Sequence, residues 1–323
     1  MTEQLSPDGF YRWDGSQWVP SGKVPTAAPT GVRTIAGATP AMEVGLPAAQ
    51  PLATGYGPSH QSPHGVDVPT AKKKMAIEAF GLKKHFGKQK VLDGVDMGIP
   101  ESEVTMIMGP SGTGKSVFLR HVVGLMFPDA GDIKVAGHSV PSLSSEGLLE
   151  LRRNVGMLFQ DGALFSSMSL YDNVAFPLRQ HTKKSEKQIN DIVYDRLKEV
   201  GLAGADKKYP SELSGGMKKR AGFARALVLE PKILLFDEPD SGLDPVRTAL
   251  LSQLIKEISN RYECTSIIIS HDVNVVRGVA DNLAVLYAGK CVAFGSQKEI
   301  KENPDPFIQQ FLVGAPEGPL GMD

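Results

Sequence analysis

The chain has 323 residues, 41% of them hydrophobic, with 35 Lys and Arg against 36 Asp and Glu and a formal net charge of −1. That balance gives no electrostatic footprint for a dedicated nucleic-acid binder. No run approaches the roughly 20 apolar residues that span a bilayer, so a channel or permease is excluded as the chain's own role.

The opening residues, Met1 to Gln17, lack a basic start and an apolar core, so no secretory leader is expected. Cys264 and Cys291 are the only cysteines, which excludes a disulfide framework and points to a reducing, cytosolic setting. Both tryptophans fall in a short motif over residues 1–18, in the cluster Pro7-Asp8-Gly9-Phe10-Tyr11-Arg12-Trp13-Asp14-Gly15-Ser16-Gln17-Trp18. Asp-Gly between aromatics predicts a small hairpin. The cluster resembles a short Trp-Asp-Gly…Trp module found at the ends of many actinobacterial proteins. It reads either as a docking patch or as a marginal hairpin without a partner.

Residues 19–75 form a linker in this reading. Between Val19 and Lys72 there are nine prolines, seven glycines and five charges in 54 residues, too little apolar surface to offset the entropy of ordering. From residue 76 to 313 the pattern is that of one α/β domain. Apolar runs at Val104–Met108, Val155–Phe159, Ile233–Phe236 and Ser266–Ser270 are continuous, as in strands covered on both faces. Between them, Ile189, Ile192, Val193, Leu197 and Val200 recur at helical spacing. Strands alternating with helices predict a parallel sheet with right-handed crossovers. Residues 314–323 form a tail. Before it, Phe307, Ile308, Phe311 and Leu312 share one helical face, which predicts a terminal helix packed on its own domain. The alternative is that the last residues reach a second copy of the chain.

The residues Gly109, Pro110, Ser111, Gly112, Thr113, Gly114, Lys115 and Ser116 follow an apolar strand and precede a helical stretch. This is the phosphate-loop pattern in the context it requires. Glycines let the backbone turn its N–H groups onto a phosphate, and the helix N-terminus beyond adds partial positive charge. Lys115 supplies a point charge to the β- and γ-phosphates, and the Ser116 hydroxyl is a ligand for Mg²⁺. Asp237 and Glu238 end the strand that starts at Ile233. A carboxylate there suits the metal, and the next one suits polarisation of a water.

With Leu213-Ser214-Gly215-Gly216-Met217 the chain resembles the ATP-binding cassette (ABC) ATPases. The family's set follows in order: Gln160 after the strand beginning at Val155, then Ser214–Met217, Asp237-Glu238, Ser241-Gly242-Leu243-Asp244, and His271. The resemblance spans Ile77 to about Leu312. It implies a P-loop NTPase fold with a RecA-like parallel core, an antiparallel β subdomain and a helical signature subdomain. It also implies ATP and Mg²⁺ as cofactors and a head-to-tail dimer. Ser214, Gly215, Gly216 and Met217 of one copy would then cap the γ-phosphate held by the other. Glu238 would be the general base, and His271 would contact the γ-phosphate. Gln160 would touch metal or water, Asp237 and Ser116 would hold Mg²⁺, and Asp244 would link the two sites. Phe86 stands where the family more often has a tyrosine that stacks on adenine. Val117 replaces a frequent hydroxyl residue on the first helix.

The 98 residues between Lys115 and Ser214 leave no room for a long coiled-coil arm, and no permease segment is fused. The segments Gln160–Phe165, Asp172–Arg179 and Asn303–Leu312 resemble the ATPase subunits of Mla-type and Mce-type lipid transporters. That resemblance implies lipid or sterol transport, YrbE-type permeases and Mce-domain proteins as partners, no nucleic acid, and a place under the permease on the inner face of the plasma membrane. An importer of amino acids, metal or phosphate shares every catalytic residue and stays open here. A soluble switch acting on nucleic acid rests only on the basic runs Lys72–Lys74 and Lys218–Arg220.

Overall fold

A computed structural model of the chain describes residues 11–13, 18–20, 73–270, 278–315 and 317–318. Residues 21–72 of the expected linker, His271 and most of the tail lie outside the described residues, while the two ends of that linker are strand residues, Val19 and Pro20 in one strand and Met75 opening another. In the N-terminal cluster, β1 (Tyr11–Trp13) and β2 (Trp18–Pro20) pair antiparallel with Trp13 opposite Trp18. That is the strand arrangement the aromatic cluster predicts.

The larger unit starts with two 12-residue strands, β3 (Met75–Phe86) and β4 (Gln89–Pro100). With β6 (Ala130–Val135) and β7 (His138–Ser139) they form an antiparallel sheet in the order β4-β3-β6-β7. A second sheet holds β5 (Val104–Met108), β8 (Val155–Leu158), β9 (Ile233–Asp237), β10 (Thr265–Ile269), β11 (Asn282–Tyr287) and β12 (Lys290–Ser296). Its order is β12-β11-β5-β10-β9-β8, parallel throughout except for the β11–β12 hairpin.

The helices are α1 (Lys115–Val122), α2 (Ser145–Arg153), α3 (Leu170–His181), α4 (Glu186–Glu199), α5 (Gly215–Leu227), α6 (Pro245–Arg261), α7 (Gln297–Lys301) and α8 (Pro306–Val313). Serine or aspartate side chains cap several of them, which satisfies N–H groups that a helix start leaves without partners. Ser185 and Gln188 close a capping box on α4, and Asp244 caps α6.

The parallel strands carry the core on both faces, which is why their sequences are unbroken apolar runs. Leu234, Phe236 and Ile268 pack with Val174, Val193, Phe223 and Ile255 from the helices on one side. Leu235, Ile267 and Ile107 pack on the other side with Phe118 and Leu119 of α1 and with Ile77, Leu82 and Leu92 of the antiparallel sheet. A third cluster joins Met106, Met108 and Leu283 to Ile308 of α8. The terminal helix therefore packs on its own domain, as its apolar face predicts.

Element ends shift slightly from the sequence reading. The strand expected to reach Phe159 stops at Leu158, and the one expected at Ser266–Ser270 covers Thr265–Ile269. Both cysteines are free thiols. No helix among the described residues is long and apolar enough to cross a membrane.

Where β8 passes α5 there is no room for a side chain. A Cβ on Gly156 would lie 2.4 Å from the Ala226 carbonyl oxygen and 2.9 Å from Leu234 Cδ2. Gly156→Ala is expected to destabilise the domain by about 1–3 kcal/mol, the usual range for overpacking, read as a lower urea midpoint at unchanged slope.

Candidate functional site

The fully buried strand β5 delivers the chain into the phosphate loop, and α1 takes it out. Gly109, Gly112 and Gly114 have φ of 145°, 78° and 95°, a backbone region open to glycine and costly for other residues. Gly109 is also held by proximity, since a Cβ there would sit 2.0 Å from the Leu286 carbonyl oxygen of β11. Thr113 Oγ1 donates to the Pro110 carbonyl at 2.9 Å. Lys115 folds back over the loop, and its Nζ donates to the Gly109 and Pro110 carbonyls, both at 2.8 Å. Burial lowers the Lys115 pKa, and the Glu238 and Asp237 carboxylates oppose that shift. The loop thus encloses a buried ammonium, which suits a phosphate, with two carboxylates nearby, which suit a cation.

Ser116 Oγ donates to Asp237 Oδ1 at 2.8 Å, joining the first turn of α1 to the end of β9. Burial raises the Asp237 pKa above the ordinary carboxylate range, and the Ser116 hydrogen bond works the other way. Hydroxyl and carboxylate are hard oxygen donors, the kind Mg²⁺ prefers, and Mg²⁺ commonly takes only one or two protein ligands beside water and phosphate oxygens. The pair therefore fits the metal. Beside this pair, Gln160 Nε2 donates to Ser241 Oγ at 3.0 Å.

Glu238 follows with φ 49°, and its N–H donates to the Ile269 carbonyl at 3.0 Å. A glutamate in the left-handed region is uncommon, and such strain persists where the surroundings hold it. Two residues on, the Ser270 hydroxyl donates to Asp240 Oδ2 at 2.8 Å. Ser270 stands directly before His271, whose placement lies outside the described residues.

Ser214 caps α5, its hydroxyl accepting from the Met217 N–H at 3.4 Å, so Gly215 and Gly216 form the open first turn. Leu243 and Arg247 of the same chain flank Gly216. Asp244 accepts from the Val246 and Arg247 N–H groups at 3.1 and 3.0 Å, which holds its carboxyl below the usual range. Phe86 ends β3 on the surface, 46% exposed, as a stacking platform has to be. Its turn is fixed by Asp129, which accepts from Lys84 Nζ at 2.8 Å and from the His85 N–H at 2.7 Å. These contacts hold the Asp129 carboxyl at about 2. Val117 packs at the margin of the core.

Sequence reasoning missed three contributors. Lys219 Nζ donates to the Ser241 carbonyl and, at 3.4 Å, to that of Glu238. Arg225 donates to the Ala163 and Gly162 carbonyls at 2.8 and 3.0 Å. Asp129 is the third. Lys219 carries a readable signal, since it falls on the i, i+4, i+8 stripe with Phe223 and Leu227. The basic run Lys218–Arg220 is not a wholly solvated face. Lys219 is buried, and Arg220 donates to the Val200 and Gly201 carbonyls, both at 3.1 Å. Lys73 and Lys74 pair with Glu103 and Glu101 at 2.6 and 2.9 Å.

A groove of about 400 Å³ opens beside these elements, lined by Phe159, Ala163, Phe165, Phe176, Pro177 and Arg225 among others.

Residues 92–241 match the family described as ABC transporter. A Mycobacterium leprae protein named probable ribonucleotide transport ATP-binding protein mkl is 52% identical over 248 residues, 77% of this chain and 72% of that protein. The chain belongs to the ABC transporter ATP-binding proteins. An Escherichia coli relative, the intermembrane phospholipid transport system ATP-binding protein MlaF, is 43% identical over 72% of this chain and 87% of its own length. Among solved structures, the ADP- and phosphate-bound dimer of the ATP-binding cassette MJ0796 superposes with a TM-score of 0.64 at 28% identity. It covers 68% of this chain and 98% of the other. The chain is thus an ABC ATPase, the ATP-binding subunit of a transporter, with the family's mixed α/β fold.

Gly109→Ala is expected to displace the loop from its seat against Leu286 and to lower ATP affinity at least about tenfold, measured by calorimetric titration.

Proposed function

We propose that this chain energises lipid or sterol movement across the cell envelope, acting as the ATPase of an Mce- or Mla-type transporter and driving transport inward. Its partners are YrbE-type permeases and Mce-domain proteins, and it sits on the cytoplasmic face of the plasma membrane. The observation that carries this reading is the segment from Gln160 to Arg179. It combines a likeness to lipid-transporter ATPases with a groove in which Phe159, Phe165, Phe176 and Pro177 lie among Arg152, Arg153, His181 and Arg225, and we assign that groove to a short helix of the permease. The name of the Escherichia coli relative refers to phospholipid transport, and that of the mycobacterial relative to ribonucleotide transport. The second name keeps a ribonucleotide cargo as the competing reading.

In this mechanism Phe86 stacks on adenine, and residues 109–117 hold the phosphates, with Lys115 moving from loop carbonyls onto them. Ser116 and Asp237, with Gln160, would hold Mg²⁺, and the metal when bound would neutralise charge on the phosphates. Glu238 takes the proton of the attacking water, and His271 meets the γ-phosphate. Ser214, Gly215, Gly216 and Met217 of a second copy close over that phosphate, where an open helix N-terminus is a ready anion site. Asp244 lies at the contact between the copies. Closure is favoured because ATP touches both copies only in the closed state, and such differential affinity is what drives a conformational cycle.

Glu238→Gln is expected to retain ATP affinity while turnover falls by about 10²–10⁴, the usual contribution of a general base. Lys115→Ala is expected to lose affinity itself. Binding titration alongside steady-state hydrolysis separates the two. The test of the transporter assignment is a pull-down of tagged Glu238→Gln protein with Mg-ATP from gently solubilised membranes, read by protein and lipid mass spectrometry. YrbE-like and Mce-domain proteins with bound lipid are expected. A permease of another type would sink the lipid assignment and leave the ATPase intact.

A further inference from the structure

Lys219 sits in the second turn of α5 and is only 5% exposed. A buried ammonium is costly to desolvate, and an apolar side chain of the same length would fill the space without that cost. Its donors are spent on one short stretch of backbone, the carbonyls of Glu238 and Ser241. The same Ser241 accepts Gln160 Nε2 through its hydroxyl at 3.0 Å. The neighbouring Asp240 accepts the Ser270 hydroxyl at 2.8 Å. Between these ties runs a backbone with Glu238 at φ 49°. A strained glutamate of this kind needs fixed neighbours to stay in place, and Lys219 is the cation that reaches its carbonyl.

We propose that Lys219 is a positioning residue for ATP hydrolysis: it fixes the Glu238–Ser241 turn and ties it to the signature turn on the same helix. This rests on the reading of Glu238 as general base and of Ser214–Met217 as the cap on the other copy's ATP. Gly215 and Lys219 are four residues apart on a rigid helix, about 6 Å of rise. Engagement of the α5 N-terminus with the opposite ATP therefore sets the position of the Glu238 carbonyl in its own site. One chain thus links the two ATP sites through a single side chain. The charges facing Lys219 suit the role. Burial lowers its pKa, and Asp240, Asp161 and Glu238 counter that shift and favour the ammonium.

The test uses the full chain with Lys219→Met, Lys219→Arg and Glu238→Gln, measuring kcat and KM for Mg-ATP, nucleotide affinity and melting temperature. Misplacement of a catalytic group by about an ångström costs on the order of 10²-fold in rate. Lys219→Met is therefore expected to lose about 10- to 100-fold in kcat, with KM within about threefold and melting within a few degrees of the parent. Lys219→Arg, which keeps a charge and paired donors, is expected to recover most of that loss. A methionine variant within twofold of the parent rate overturns the proposal. So does an arginine variant as slow as the methionine one, or a methionine variant whose affinity and melting collapse with its rate. Full activity in Glu238→Gln would instead remove the general-base reading on which the proposal stands. An inactive Glu238→Gln beside a normal Lys219→Met removes the Lys219 role alone.

Discussion

The phosphate and catalytic end of the ATP site depends on three parallel strands ending in step. Asp237 at the end of β9 lies opposite Ile269 of β10, and Ile269 lies opposite Ile107 of β5. The chain leaving β5 becomes the phosphate loop, the chain leaving β9 carries Glu238, and the chain leaving β10 carries Ser270. A slip of one residue at β9 would send Asp237 to the other face of the sheet, because side chains alternate with period two. The register is secured by burial on both faces, with Leu234 and Phe236 on one and Ile233 and Leu235 on the other. Ligand sites outside the carboxyl ends of parallel strands are the general rule for such sheets. Here the rule takes a specific form, since the Ser116 to Asp237 hydrogen bond ties the β5 exit to the β9 exit.

The parts of this site that could be read from sequence are those fixed by local chemistry. The phosphate loop shows because its glycines, lysine and serine must be contiguous, and β5 and β9 show because double burial leaves unbroken apolar runs. The antiparallel sheet is harder to see. β3 and β4 are long, but their register shifts between Ala79 and Leu82 and again between Lys84 and His85, so the alternation that marks a half-buried strand is broken. Gly81 at φ 54° marks one of these irregularities. Lys219 and Arg225 are hard to place for another reason, although the apolar stripe shared with Phe223 and Leu227 hints that Lys219 is buried. Their partners are main-chain carbonyls, which any sequence possesses, and burial rather than residue pairing reveals them. Gln160 illustrates the converse: its motif position is plain, yet its hydroxyl partner Ser241 lies 81 residues away.

Helix α5 gathers these long-range ties. Its N-terminus carries the cap residue Ser214, its second turn carries Lys219, and its last turn carries Arg225. Lys219 grips the turn after β9, and Arg225 grips the loop after Gln160. That loop also lies directly on the helix. A Cβ on Gly222 would come 2.8 Å from the Gly162 carbonyl oxygen, and a Cβ on Gly162 would come 2.8 Å from the Lys218 carbonyl oxygen. Two glycines thus allow backbone-to-backbone approach where any side chain would force the elements apart.

This close packing bears on how chemistry at one end reaches a partner at the other. Interiors packed this densely pass displacement on because no free volume absorbs it. The loop on α5 continues into Phe165, whose ring lies 5.0 Å from that of Phe176 and 5.7 Å from the Arg225 guanidinium, all lining the groove. A shift of α5 along its axis would therefore move the turn bearing Glu238 and the wall of the groove together, with Gln160 and Ser241 closing the circuit by a third bond. The α5 N-terminus is the part that meets nucleotide in the other copy under the assignment above. Under that assignment one rigid helix serves nucleotide closure, the catalytic turn and the groove wall at once, the kind of connection that transmitting work to a docked partner requires.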